Sequence, residues 1–71
     1  MIKELTAREI EIVKYIVAGF TDDEIAPQLS ISPKTVSTHR KNILAKLKLP
    51  NTASLVRVAV QNGLDGYSPR M

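Results

Sequence analysis

The chain has 71 residues, no cysteine, a single histidine and a formal charge of +3. A chain of this size forms one domain around one small core. It has neither disulfides nor thiolate metal sites, no apolar run long enough to cross a bilayer, and no apolar stretch of signal length at its start. The absence of cysteine suits a reducing cytoplasm, where the protein is expected to act. A domain is predicted over residues 1–65, followed by a flexible tail over 66–71 that lacks apolar periodicity.

Thr6-Ala-Arg-Glu9 reads as a capping box, in which the threonine hydroxyl and the glutamate carboxylate each satisfy a free amide of the other. Val13, Ile16, Val17 and Phe20 then recur at helical spacing, with Ile12 at the edge of the stripe, and Gly19 is a natural stop. Helix 1 is predicted over about Ala7–Ala18. Glu9 lies on its inward side. Capping is one role for it, and an ion pair to a base of helix 3 is the other. Thr21-Asp-Asp-Glu24 is a second capping box, with three acids where the helix dipole favours them. Helix 2 is predicted over Asp22–Leu29, its apolar face made of Ile25, Ala26 and Leu29. Pro27 removes one backbone bond inside it, so a kink or a ragged end is expected there.

Ser32-Pro33 is an N-cap followed by proline at the first helical position. Helix 3 is predicted from Pro33 to Lys48, stopped by Pro50. Val36, Ile43 and Leu47 face the core with Leu44 alongside, while Lys34, Ser37, Thr38, Lys41, Ala45 and Lys48 take the opposite face. Helix 4, about Ala53–Asn62, is capped by Thr52 or Asn51 and ends at Gly63. Its inner face is predicted as Leu55, Val56, Ala59 and Val60, and its outer face as Ser54, Arg57, Val58 and Gln61.

Charge divides along the chain. Residues 1–31 hold three bases against six acids, whereas residues 32–71 hold seven bases against Asp65 alone. Five of the bases, Lys34, Arg40, Lys41, Lys46 and Lys48, fall on helix 3 without an acid among them. A basic helix on an otherwise acidic small domain points to nucleic acid. Helices 2 and 3, joined by Ser30-Ile31, form a helix-turn-helix in which the second helix crosses the first with its N-terminal half protruding. Such a helix fits the major groove of duplex DNA. Lysine there can donate to guanine O6 and N7, and Ser or Thr can donate or accept. The N-terminal amides of both helices can also hold phosphate.

The ordered set Leu5-Thr-Ala-Arg-Glu9, Gly19, Glu24-Ile-Ala26, Leu29, Ile31-Ser32, Lys34-Thr-Val36, His39-Arg40, Asn42-Ile43, Lys46-Leu47, Leu55-Val56, Ala59 and Gly63-Leu64 resembles the LuxR-type (GerE-like) helix-turn-helix family over about residues 4–65. The resemblance implies an all-α, compact four-helix DNA-binding domain of a bacterial transcription regulator, with helix 3 as the reader and helix 4 as the dimerisation helix. It implies base contacts by Lys34, Ser37, Thr38 and Lys41, and phosphate contacts by Thr35, His39 and Arg40, to which Lys46 is added. Ser37 stands where the family frequently has lysine, so a different target sequence is implied, and Asp22-Asp23 stands where it often has Asn-Lys, so no phosphate contact by a basic residue is implied there. Ile10 stands where a polar residue is common, and is expected to cover a neighbouring surface. A receiver or ligand-binding domain is the implied partner within a longer protein.

The outer face of helix 4, made of Ser54, Arg57, Val58 and Gln61, is small against the roughly 1,200 Å² of stable complexes. A weak homodimer that assembles on adjacent half-sites is therefore expected. No enzyme activity, cofactor or metal is expected, because Ser37 and Thr38 lack a base with an orienting acid and His39 lacks a second ligand. The alternative function is a helical protein-interaction module that docks on another regulator without DNA. Single-stranded RNA binding lacks support, since Tyr15, Phe20 and Tyr67 all lie off the basic helix.

Overall fold

Four α-helices follow a short 3-10 turn at Ile2–Glu4: α1 is Ala7–Val17, α2 Asp22–Leu29, α3 Pro33–Leu47 and α4 Thr52–Gln61. The computed structural model describes residues 2–64, so the tail expected over 66–71 lies outside the described residues. Each helix begins on a side-chain cap: Thr6, Thr21, Ser32 and Asn51 accept from the amides of Glu9, Glu24, Thr35 and Ser54 respectively. Both predicted capping boxes are complete, with Glu9 and Glu24 reaching back to the Thr6 and Thr21 amides at 2.8 and 2.9 Å. Asn51, rather than Thr52, caps α4.

The helix ends share one device. Gly19, Ser30, Lys48 and Gly63 all take the left-handed conformation, with φ of 94°, 57°, 55° and 77°. The amide of the next residue then donates back five positions: Phe20 to Tyr15, Ile31 to Ala26, Leu49 to Leu44, and Leu64 to Ala59. That reversed bond and the apolar residue that follows the left-handed one are the marks of a Schellman stop. Phe20, Ile31, Leu49 and Leu64 all pack on the core. Phe20 and Ile31 also precede the caps of α2 and α3, where an apolar residue staples the start of the next helix. One side chain therefore closes a helix and opens its successor.

Four expectations change. α3 stops at Leu47, and its stop is the left-handed Lys48 rather than Pro50. α2 runs through Pro27 without interruption to a capped end at Ser30. The single bond that Pro27 forfeits would have gone to the carbonyl of Asp23, an exposed first-turn residue whose oxygen water can serve. Phe20 lies beyond α1 rather than on its stripe, and Ile12, placed at the edge, is fully buried at its centre.

Ile12, Ile25, Ile43 and Leu55, one from each helix, are fully buried, and Val13, Val36, Leu47 and Ala59 fill the space between them. The rings of Tyr15 and Phe20 meet edge to face at 5.2 Å, an arrangement that aromatic pairs favour. Ile10 is half-buried against this same core. α3 packs on both α2 and α1, and α4 packs on α1. Held from behind by two helices, α3 leaves its far side open.

Candidate nucleic-acid interface

The open side of α3 carries Lys34, Thr38, Lys41 and Ala45, and Lys48 follows at its left-handed end, all exposed. The three lysines follow one another at intervals of seven residues, which is about 10.5 Å along a helix. Among the described residues none of their ammonium groups has an ion-pair partner. Lys48 belongs to this row although it was not among the candidate site residues. Its seven-residue spacing from Lys41 was the signal available in the sequence. Ala45, between Lys41 and Lys48 near the end of α3, keeps that part of the row low.

Ser37 lies at the flank on the α2 side and is half-buried. Its Oγ accepts from Arg40 Nη2 at 3.4 Å. The same Nη2 donates to Asp22 Oδ2 at 3.1 Å, tying the first turn of α2 to the middle of α3. Thr38 donates its hydroxyl proton to the Lys34 carbonyl at 3.1 Å, leaving its lone pairs and methyl group outward. Thr35 is exposed at the start of α3, its Oγ1 2.9 Å from Ser32 Oγ.

The four candidate phosphate residues are thus not equivalent. Thr35 is exposed and His39 half-buried, and neither is in an ion pair. Arg40 and Lys46 are each already paired inside the domain. Lys46 Nζ donates to Glu9 Oε1 at 2.7 Å on the α1 side of α3. Glu9 therefore both caps α1 and pairs with α3, the two roles that the sequence left open. Burial pushes its carboxyl pKa up, but the hydrogen bonds from Lys46 and the Thr6 amide outweigh that and hold it below the ordinary carboxylate value.

On α4, Arg57 and Gln61 are exposed, whereas Ser54 and Val58 are half-buried. Val60, placed inside by the sequence, is instead 44% exposed, the highest value among the large apolar side chains described. α4 packs mainly on α1, which fully buries Leu55 and Ala59 and half-buries Val56, while Val60 is turned about 100° from Ala59. Among the described residues no group of His, Cys, Asp and Glu is placed to hold a metal ion, and no helix is long and apolar enough to cross a membrane.

Two short helices at a tight turn, the second backed by the rest of the domain and basic on its free side, define a helix-turn-helix domain. The family described as bacterial regulatory proteins, luxR family, matches residues 3–59, and the chain belongs to that family. Its members are DNA-binding transcription regulators rather than enzymes. Similar proteins include the transcriptional regulatory protein MctR of Rhizobium johnstonii, 47% identical over 60 residues, which are 84% of this chain and 28% of MctR. The transcriptional regulatory protein FixJ of Rhizobium meliloti is 40% identical over 62 residues, 87% of this chain and 30% of FixJ. The uncharacterized response regulatory protein YgeK of Escherichia coli K12 is 44% identical over 61 residues, 86% of this chain and 42% of YgeK. The matched stretch thus covers less than half the length of each of these relatives.

Proposed function

We propose that this domain binds duplex DNA sequence-specifically, with the free face of α3 in the major groove and Lys34, Ser37, Thr38 and Lys41 nearest the bases. The row of unpartnered lysines on α3 carries this reading. Uncompensated charge on a rigid helix, with the small Ala45 between two of its lysines, matches a phosphate-walled groove and serves no purpose in the domain's own packing. Thr35 and His39 meet the backbone at the flanks. Arg40 and Lys46 reach phosphate only by giving up Asp22 and Glu9. Two copies pair weakly through α4 on half-sites about one helical turn apart. The remaining length of the relatives has room for a receiver or ligand-binding domain. The reading extends to such a domain as partner, and to action on the chromosome in the cytoplasm.

Fluorescence anisotropy of mixed-sequence duplex DNA across a salt series tests the reading, with a Lys34→Ala/Lys41→Ala variant alongside. Binding that weakens steeply with salt, and a shallower slope in the variant, supports it. No binding even at low salt transfers the function to protein docking without DNA.

A further inference from the structure

We propose that Asp22 determines specificity from outside the reading helix: by holding Arg40 against Ser37, it withdraws one guanidinium from the DNA backbone and sets the Ser37 hydroxyl as a donor toward the bases. This inference rests on the assignment of α3 as the DNA reader.

Arg40 Nη2 carries two hydrogens, and the geometry gives each an acceptor: Asp22 Oδ2 at 3.1 Å and Ser37 Oγ at 3.4 Å. A hydroxyl that accepts from a guanidinium turns its own proton elsewhere. Ser37 therefore offers that proton to acceptors such as guanine O6 and N7, adenine N7 or thymine O4. Thr38 has the opposite polarity, because its proton is spent on the Lys34 carbonyl. Two adjacent hydroxyls on one helix thus ask different things of the bases.

The charge consequence is separate. Non-specific affinity grows with the number of cations free to neutralise phosphate. Arg40 and Asp22 are both only partly exposed, at 31% and 26%, and they line an open surface depression of about 370 Å³. The guanidinium is within reach of solvent yet committed. Asp23, the neighbouring acid, is exposed and has no ion-pair partner among the described residues, so it serves as an internal control. Asp22→Asn spares the α2 capping box, which uses Thr21 and Glu24.

The test measures anisotropy of a random-sequence duplex, and of a duplex selected for tight binding, against the wild-type chain, Asp22→Asn, Asp23→Asn and Asp22→Asn/Arg40→Gln. On the random duplex Asp22→Asn should steepen the log–log salt slope by about 0.9, so that its gain in affinity is about threefold larger at 50 mM than at 200 mM salt. Asp23→Asn should leave the slope alone, and the double variant should return it to the wild-type value. On the selected duplex, replacing contacted purines by 7-deazapurines should cost the wild type more than Asp22→Asn. Equal slopes for Asp22→Asn and Asp23→Asn would overturn the proposal, as would a steep slope that survives loss of Arg40. If no protein in the set binds either duplex, the assignment of α3 as the reader falls, and the proposal falls with it.

Discussion

Lys46 Nζ and the Thr6 amide converge on a single atom, Glu9 Oε1, at 2.7 and 2.8 Å. One carboxylate oxygen therefore ends the open turn of α1 and pins the last turn of α3 to it, across 37 residues of sequence. This pin ties α3 to α1 on one side and the Asp22–Arg40 pair ties it to α2 on the other, beside the core contacts of Val36, Ile43 and Leu47. Glu9 is buried whereas Lys46 is partly exposed, so the pair loses less to desolvation than two buried ions would.

Glu9→Gln should lower stability by about 1–2 kcal/mol at neutral pH, the range for a lost charge-assisted hydrogen bond with a partly solvated partner. The pH dependence has a definite sign. The folded-state pKa of Glu9 is depressed, so its contribution is complete above the unfolded value of about 4.3 and is lost as pH falls through the folded value. Urea unfolding from pH 7 to pH 3 should therefore show the wild type losing its advantage over Glu9→Gln below about pH 4. An advantage that does not shrink at all as pH falls below about 4 would refute the account.

Two of the four left-handed stops are not glycine. At Ser30 and Lys48 a side chain sits at φ of 57° and 55°, where L-residues other than glycine are disfavoured. Ser30→Gly and Lys48→Gly should each stabilise the domain by about 0.5–1 kcal/mol, read as a shift in denaturation midpoint. They should separate on DNA: Ser30→Gly leaves binding unchanged, whereas Lys48→Gly also removes a cation of the α3 row and flattens the salt dependence.

Ala45 distinguishes the fold from the interface. It is exposed between Lys41 and Lys48 on the α3 face, and glutamate is a good helix former. Ala45→Glu should change stability by no more than about 0.5 kcal/mol, while placing an anion against phosphate and reducing DNA affinity by about tenfold or more. Thermal melting and anisotropy on one sample check both halves. Intact affinity would move the binding surface off α3.

Val60 does the same for pairing. Val60→Glu should leave the monomer folded, because the side chain is already substantially exposed. On a duplex with two adjacent half-sites it should turn cooperative binding into two independent events, seen by sedimentation with DNA. Unchanged cooperativity would take Val60 out of the pairing surface and leave pairing to the outer face of Ser54, Arg57, Val58 and Gln61.

Local chemistry explains what was legible in the sequence. Thr6, Thr21 and Ser32 announce helix starts because a capping hydroxyl acts within three residues, and the structure has those caps. The fully buried Val36 and Ile43 follow from period alone. Where the reading strayed, the deciding contact was remote in sequence or did not involve a diagnostic residue type. Ser30 and Lys48 carry no glycine to mark a left-handed stop, so the end of α3 was assigned to Pro50. Val60 was placed inside because periodicity cannot tell how much of α4 its neighbours cover. The partners of Arg40 and Lys46 lie 18 and 37 residues away, at Asp22 and Glu9: helix period put Glu9 on the inward side of α1 with a base of helix 3 as one partner, but nothing local paired Asp22 with Arg40.

The doubled use of Phe20 and Ile31 limits how this chain can be edited. Neither turn has a spare position: the residue that completes one helix is already the staple of the next. An inserted residue at Ser30-Ile31-Ser32 would force Ile31 to keep only one of its two duties, and α3 would swing relative to α2. Length polymorphism in related chains should therefore be confined to the connection between α3 and α4 and to the ends. Grafting a new reading helix should succeed only if the exchange carries the Ile31-Ser32 start with it.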